Sequence, residues 1–227
     1  MLGSCSGSFF ALDRATGALR WSYDTRRDGG APSQFHGAGF VTDDLVVTPS
    51  DGSGAGLLYA FDRATGAVHW KLATPHQVTT DLLRHERRVI ARQFDGTLLW
   101  IDLTNGVLVR TLAVDPSAEG SQRDRGAPVR IGSRILPPDS RGGLLAVEAA
   151  TGEVLWRREI ELGEPPLLGT DGQQAYFATS SGRLLRVSPG DGAITAELPG
   201  KFRAVWRPQL FAELDLAIFQ SEHEILA

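Results

Sequence analysis

The sequence predicts an all-β fold made of four-stranded antiparallel sheets that recur about five times along the chain. Three observations carry this prediction: a recurring phrase of 15 residues, a turn motif inside each copy, and a content of 26 glycines and 12 prolines. Glycines and prolines that separate short apolar runs favour many short strands over long helices. Hydrophobic residues make up 42% of the 227 positions, which is typical of a globular protein with a real core.

The recurring phrase sets the length of the repeat. Its copies lie at residues 7–21, 56–70, 96–110, 142–156 and 182–196. Their turn glycines are 49, 40, 46 and 40 residues apart: Gly17, Gly66, Gly106, Gly152 and Gly192. A repeat of this length, rich in short strands, is typical of a propeller blade. The predicted fold class is therefore a β-propeller with about five blades present, either closed or partial.

Each copy of the phrase predicts a hairpin between strands that we label C and D. Residues 57–61 form an apolar strand, Asp62 can accept amide hydrogen bonds inside the turn, and Gly66 supplies the positive φ that turns the chain back. Within a single domain covering residues 1–227, the sequence predicts C–D hairpins at 7–25, 56–74, 96–114, 142–160 and 182–199.

The segments between the hairpins supply strands A and B of each blade. On this scheme the chain begins in a B strand at residues 1–5 and stops in a C strand at residues 223–227. Strands from the two ends could complete one composite blade and close a ring of five. The chain could also be an arc of a larger propeller, or a second copy could complete the ring.

The phrase Ala-x-Asp-x-x-Thr-Gly-x-x-x-Trp occurs in full at residues 11–21 and 60–70. It resembles the tryptophan-docking repeat of the bacterial pyrroloquinoline-quinone-like (PQQ-like) β-propeller superfamily. That superfamily includes quinoprotein alcohol dehydrogenases and the lipoprotein subunit of the outer-membrane β-barrel assembly machinery. The resemblance implies that three indole rings wedge between neighbouring blades: Trp21, Trp70 and Trp156. Arg110 and Ala196 occupy the equivalent positions in the degenerate copies, which predicts weaker junctions there.

Charge and cysteine content exclude several classes of function. With 23 basic and 27 acidic residues the net charge is −4, so nothing favours nucleic acid or an anionic membrane as partner. No apolar run is long enough to cross a bilayer. The single cysteine, Cys5, excludes an internal disulfide. Residues 2–5 resemble a lipoprotein cleavage box, but the four residues before Cys5 are too few for a signal peptide, so a strand end is predicted.

The sequence predicts no catalytic residues, no metal site and no cofactor. The resemblance raises the alternative of a quinoprotein dehydrogenase, which would bind PQQ and calcium. Such enzymes commonly carry an adjacent cysteine pair, which is missing here, and the only asparagine, Asn105, belongs to a turn. The five histidines are scattered without metal-ligand spacing. His69 beside Trp70 is predicted to pack or to face solvent.

Propeller geometry indicates where a ligand would bind, because the A strands line the central channel. The residues that lead into these strands form the predicted binding site at the channel mouth: Phe35, His36, Thr80, Asp81, Arg125, Glu164, Trp206 and Arg207. Mixed charge with two aromatic side chains suits a polar peptide or a carbohydrate. The alternative interpretation is that they are ordinary rim residues.

The function predicted from the sequence is a non-catalytic propeller that serves as a protein-binding module or scaffold. A dehydrogenase fragment and a carbohydrate-binding propeller are the alternatives. The sequence leaves the compartment open, although the resembled family is usually extracytoplasmic. The long polar connection from Ala113 to Arg125 is predicted to be the most mobile internal segment.

Overall fold

The computed structural model describes residues 1–29, 33–52, 55–78, 80–114, 126–139, 143–162, 168–198, 209–211, 216–220 and 225–226. Apart from one short 3₁₀ helix at Thr25–Asp28, the regular structure of these residues consists of antiparallel strands in six sheets. The sheets belong to two compact units, Met1–Leu112 and Ala113–Ala227.

The first unit contains sheets 1 to 3. Sheet 1 consists of β1 (Leu2–Gly3), β2 (Ser8–Leu12) and β3 (Leu19–Asp24). Sheet 2 consists of β4 (Phe40–Val41), β5 (Leu45–Asp51), β6 (Gly56–Asp62) and β7 (Val68–Thr74). Sheet 3 consists of β8 (Leu83–His85), β9 (Arg88–Arg92), β10 (Leu98–Asp102) and β11 (Leu108–Leu112).

The second unit contains sheets 4 to 6. Sheet 4 consists of β12 (Val129–Ile131), β13 (Arg134–Leu136), β14 (Pro138–Asp139), β15 (Gly143–Glu148) and β16 (Val154–Glu159). Sheet 5 consists of β17 (Leu168–Thr170), β18 (Ala175–Ala178), β19 (Leu184–Val187) and β20 (Ile194–Leu198). Sheet 6 consists of β21 (Gln209–Phe211), β22 (Leu216–Gln220) and β23 (Ile225–Leu226).

The pairing of strands confirms the predicted blade. Sheets 2, 3 and 5 each run A-B-C-D in four antiparallel strands, and in sheet 4 both β13 and β14 pair with the C strand β15. All five predicted C–D hairpins form, from β2–β3 to β19–β20. The strand β1 takes the B position of sheet 1 and β23 the C position of sheet 6. Closure of the blades into a ring and the single domain over residues 1–227 stay predictions.

In the first three hairpin turns the aspartate four residues before the turn glycine does what the sequence predicts, whereas Glu148 and Ser188 hold that position in the other two. Asp62 Oδ1 accepts hydrogen bonds from the backbone amides of Ala64 and Thr65, at 3.1 and 2.7 Å. Asp13 repeats the arrangement, and the amide of Thr16, followed by Arg20, lowers the pKa of Asp13 to about 2. Hydrogen bonds in the turns also lower the pKa of Asp62 and of Asp102, which holds the same position in the third hairpin. In the fifth hairpin the amide of Ala193 lowers the pKa of Asp191, which directly precedes the turn glycine.

These turns make the stability of the protein sensitive to acid. A carboxylate whose pKa is lower in the folded chain than the value of about 3.9 in an unfolded chain stabilises the fold at higher pH, and this stabilisation is lost as pH falls through the folded pKa. For Asp13 that window extends from about 4 down to about 2. We expect the urea midpoint to fall across this window. It should fall less in Asp13→Asn, and parallel curves for the two proteins would contradict the assignment.

The predicted docking of the tryptophans is confirmed within both units. Each indole N–H reaches a backbone carbonyl in the turn of the following sheet: Trp21 to Arg63 at 2.9 Å, Trp70 to Leu103 at 2.8 Å and Trp156 to Pro189 at 3.0 Å. Trp21 and Trp70 are buried, and Trp156 packs against the core of the second unit. Each indole ring thus packs against apolar side chains and has a hydrogen-bond acceptor for its N–H.

The turn glycines are part of the same junctions. A Cβ at Gly66 would lie 2.5 Å from the Trp21 ring, and one at Gly106 would lie 2.8 Å from the Trp70 ring. Both glycines also have positive φ, at 75° and 72°. The glycine therefore serves twice, because it forms the turn and leaves room for the preceding indole. Arg110 and Ala196 are exposed in their D strands, and weaker junctions there stay a prediction.

A polar cluster around Asp28 joins sheets 1 and 2 beside the first of these junctions. The Asp28 carboxylate accepts hydrogen bonds from the hydroxyls of Tyr23 and Tyr59, at 2.9 and 2.5 Å, and Lys71 Nζ lies 2.9 Å away. Burial opposes its charge, but these three donors together lower the pKa of Asp28. Burial and the Asp28 carboxylate in turn raise the pKa of Tyr23 to about 12.

Candidate functional site

The segment that leads into β4 is tied to three neighbouring parts of the first unit. Gln34 exchanges two backbone hydrogen bonds with Asp51 at the end of β5, at 2.7 and 2.8 Å. The amide of Phe35 reaches the carbonyl of Ser4 at 3.4 Å. Farther along, the carbonyl of Ala38 accepts from Leu82 N at 2.9 Å. Loop residues 34–38 are thus held by backbone bonds between sheets 1, 2 and 3.

Two glycines in this segment allow backbones to approach closely. A Cβ at Gly37 would lie 2.4 Å from the carbonyl oxygen of Thr80, and one at Gly39 would lie 2.0 Å from that of Val47. Any larger residue at these positions would push the segment off its neighbours. The amide of Ala38 also donates to Asp81 Oδ1 at 3.1 Å, so the entry into the next A strand is fixed to the same loop.

This arrangement encloses a cavity of about 440 Å³, which we call the loop cavity. Its lining includes Phe35, His36, Phe40, Thr48 and Asp81, with the backbone of residues 37–39 between them. The volume lies within the range of about 300–1,000 Å³ that is typical of ligand pockets. An imidazole, a carboxylate and aromatic rings offer hydrogen bonds and apolar contact to one ligand at once.

The structure places four of the predicted site residues, and three of them line the loop cavity: Phe35, His36 and Asp81. Phe35 is mostly a core residue, 7% exposed, whose ring lies 5.1 Å from that of Phe9. Thr80 is buried, and its hydroxyl donates to the carbonyl of Arg92 at 3.3 Å. The remaining predicted site residues lie outside the described residues: Arg125, Glu164, Trp206 and Arg207. Residues 115–125 of the predicted mobile connection lie outside them too.

Sequence reasoning missed several cavity residues. Phe40 and Thr48 lie on β4 and β5, inside predicted strands, where an apolar or β-branched side chain suggests packing only. The available signal was the Gly-x-Gly at residues 37–39 directly after the predicted site residue His36, since glycine in a strand approach often marks close backbone contact.

A second and wider cavity, of about 630 Å³, lies among the turns of sheets 2 and 3. Its lining includes Arg63, His69 and Arg84. His69 Nε2 lies 2.9 Å from the carbonyl oxygen of Thr104, and Arg63 Nη1 donates to the carbonyls of Thr42 and Asp43. Three residues of the predicted binding site line the loop cavity and none lines this second cavity, so we take the loop cavity as the candidate ligand site.

The repeat and the indole junctions agree with a known family. Residues 6–167 match the family model described as outer membrane protein assembly factor BamB. The chain belongs to the BamB family. A search of curated proteins with this sequence gives no significant match.

Solved structures show the same fold. BamB from Moraxella catarrhalis aligns with a TM-score of 0.69 and 21% identity over 95% of this chain and 64% of that one. The computationally designed Ika8 protein aligns with a TM-score of 0.73 and 17% identity, over 96% of this chain and 63% of the design. This BamB-family chain thus spans less than two thirds of the length of either structure. The fold is that of a β-propeller of the PQQ-like repeat type.

A quinohemoprotein alcohol dehydrogenase from Comamonas testosteroni is also similar, with a TM-score of 0.56 and 15% identity over 75% of this chain and 36% of the enzyme. The BamB-family fold is therefore shared with an enzyme. Across the described ranges of residues, no group of three or more histidine, cysteine, aspartate or glutamate side chains is arranged to hold a metal ion. Over the same part of the chain no helix is long and apolar enough to span a membrane.

Proposed function

We propose that this BamB-family chain is a non-catalytic binding module, and that its loop cavity takes an extended segment of a partner protein. The observation that carries the proposal is the loop cavity itself, with its hydrogen-bonded backbone walls and its mixture of aromatic, imidazole and carboxylate groups. An extended segment presents alternating polar and apolar groups, which such a lining can contact together.

The family match supports a protein of the outer membrane or of its assembly as the class of partner. The matching family model is described as an outer membrane protein assembly factor, so the partner expected here is an outer-membrane protein or a protein that assembles it. The backbone hydrogen bonds of residues 34–38 support binding too, because a site whose backbone is already held in place loses little entropy when a ligand docks.

The proposal can be tested by site-specific photo-crosslinking in cells. A photoreactive phenylalanine analogue is placed at Phe40 or at His36, both of which line the loop cavity. We expect a discrete crosslinked product from each position, and mass spectrometry should identify an outer-membrane or assembly protein. The matched control places the same analogue at Val109, an exposed strand residue 51% accessible to solvent on β11.

Two results would contradict the proposal. Equal crosslinking from Val109 and Phe40 would show that the products arise from random encounters and not from a binding site. The absence of any product from both cavity positions would show that the loop cavity does not bind the partner. A saturable quenching of tryptophan fluorescence by PQQ with calcium would instead support the dehydrogenase alternative, and binding to a glycan array would support the carbohydrate alternative.

A further inference from the structure

The single cysteine lies beside a histidine that is oriented by a carboxylate. Cys5 Sγ is 3.5 Å from His36 Nε2. On the other side of the imidazole ring, His36 Nδ1 is 3.1 Å from Asp51 Oδ2 and 3.0 Å from Asp51 Oδ1. The order of thiol, imidazole and carboxylate is the order that nucleophile, base and orienting group take in cysteine and serine nucleophiles generally.

Backbone structure holds all three groups in place. The tight turn between β1 and β2 presents Cys5, closed by a hydrogen bond of 2.9 Å from Ser4 N to the carbonyl of Ser8. His36 follows Phe35, whose amide is bonded to Ser4, and Gln34, whose backbone is paired with Asp51. The histidine is therefore fixed between its two partners by its own flanking residues.

The Asp51 carboxylate determines which nitrogen of His36 carries the proton and which nitrogen can act as a base toward the thiol. An ionised carboxylate only accepts hydrogen bonds, so His36 Nδ1 carries the proton that it donates to Asp51. In the neutral ring Nε2 then has a free lone pair, and that lone pair faces Cys5 Sγ. The Asp51 side chain is 11% exposed, whereas Cys5 is exposed, so the orienting group is sheltered and the nucleophile is accessible.

We propose that Cys5, His36 and Asp51 form a base-assisted thiol site that undergoes exchange with disulfides of low-molecular-weight thiols. This proposal does not depend on the loop cavity binding a protein. His36 Nε2 accepts the proton of the Cys5 thiol as Sγ attacks one sulfur of the incoming disulfide. The sulfur–sulfur bond of the reagent breaks, and its other half leaves as a thiolate that takes the proton from His36. The products are a mixed disulfide on Cys5 and one free small thiol.

The sequence makes this proposal simple to test, because any thiol reaction of the 227-residue chain reports on Cys5 alone. The probe is 5,5′-dithiobis(2-nitrobenzoate), an aromatic disulfide whose leaving thiolate is coloured. We expect the folded protein to react at least about tenfold faster than the same protein unfolded in urea, since positioned general bases commonly contribute 10²-fold or more. Oxidised glutathione, followed by intact mass, should show the same order of rates.

Variants separate base assistance from simple exposure. His36→Gln keeps a hydrogen-bonding side chain but removes the base, and Asp51→Asn removes the orienting charge; both should lower the rate about tenfold or more. The matched control is His76→Gln, which alters another histidine–carboxylate pair, with Asp95 at 3.5 Å, and should leave the rate unchanged. A wild-type rate equal to that of the unfolded chain would overturn the proposal without reference to any variant. An equal loss of rate in His76→Gln would also overturn it.

Discussion

Replacing Trp70 with alanine should lower the free energy of unfolding by about 3–5 kcal/mol, the usual cost of deleting a large buried aromatic side chain. Trp70 is 7% exposed, packs within the core cluster of sheets 2 and 3, and donates its indole N–H to Leu103. The variant would leave a cavity and an unpaired carbonyl at the same junction. Urea unfolding followed by circular dichroism measures the difference.

Trp70→Phe is the control that separates packing from hydrogen bonding. The phenyl ring keeps much of the apolar contact but cannot donate to Leu103, so a smaller loss of about 1–2 kcal/mol is expected. If alanine and phenylalanine cost the same, the indole would contribute through its N–H alone. If neither variant changed the urea midpoint, the junction between sheets 2 and 3 would not stabilise the unit.

Gly66→Ala should destabilise the protein at least about 2 kcal/mol more than Gly17→Ala, because only the first change adds overpacking. The two glycines occupy identical turns, DRATG, with φ of 75° and 71°. An alanine therefore has the same backbone cost of about 1–2 kcal/mol at each. At Gly66 the new methyl group would also lie 2.5 Å from the Trp21 ring, whereas at Gly17 nothing lies within 4 Å.

The difference between these two variants is the measured quantity, since their shared backbone term cancels. Thermal and urea unfolding of both proteins give it directly. A difference near zero would mean that Trp21 moves aside at no cost and that the docking geometry is loose. A change of the total tryptophan fluorescence in Gly66→Ala that Gly17→Ala lacks provides a second observation, because a displaced Trp21 indole becomes more exposed to solvent.

The repeated elements could be predicted from the sequence because their cause is local. Asp62 and Gly66 lie four residues apart, and the hydrogen bonds and positive φ that they provide need no information from distant residues. Each copy of the phrase supports the same assignment in the other copies, so the hairpins and the three docked indoles can be predicted from the residues that recur.

The candidate sites could be predicted only in part, because they depend on a segment that does not recur. Propeller geometry predicts His36 and Asp81 as site residues, but the contact of His36 with Cys5 joins residues 31 positions apart, and that with Asp51 joins residues 15 apart. Nothing in the sequence around Cys5 or around Asp51 indicates that either residue contacts His36. It arises from backbone bonds of Gln34 and Phe35 to two different sheets.

The indole junctions have a consequence for how such chains evolve. The D strand of one repeat carries the inserted ring, and the C–D turn of the next repeat carries the receiving carbonyl and glycine, as in Trp21 with Arg63 and Gly66. A single repeat thus encodes both halves of a head-to-tail interface. Duplicating a repeat that carries both the ring and the receiving turn would therefore add one more junction of the same kind, whereas the copies with Arg110 and Ala196 lack the ring to pass on.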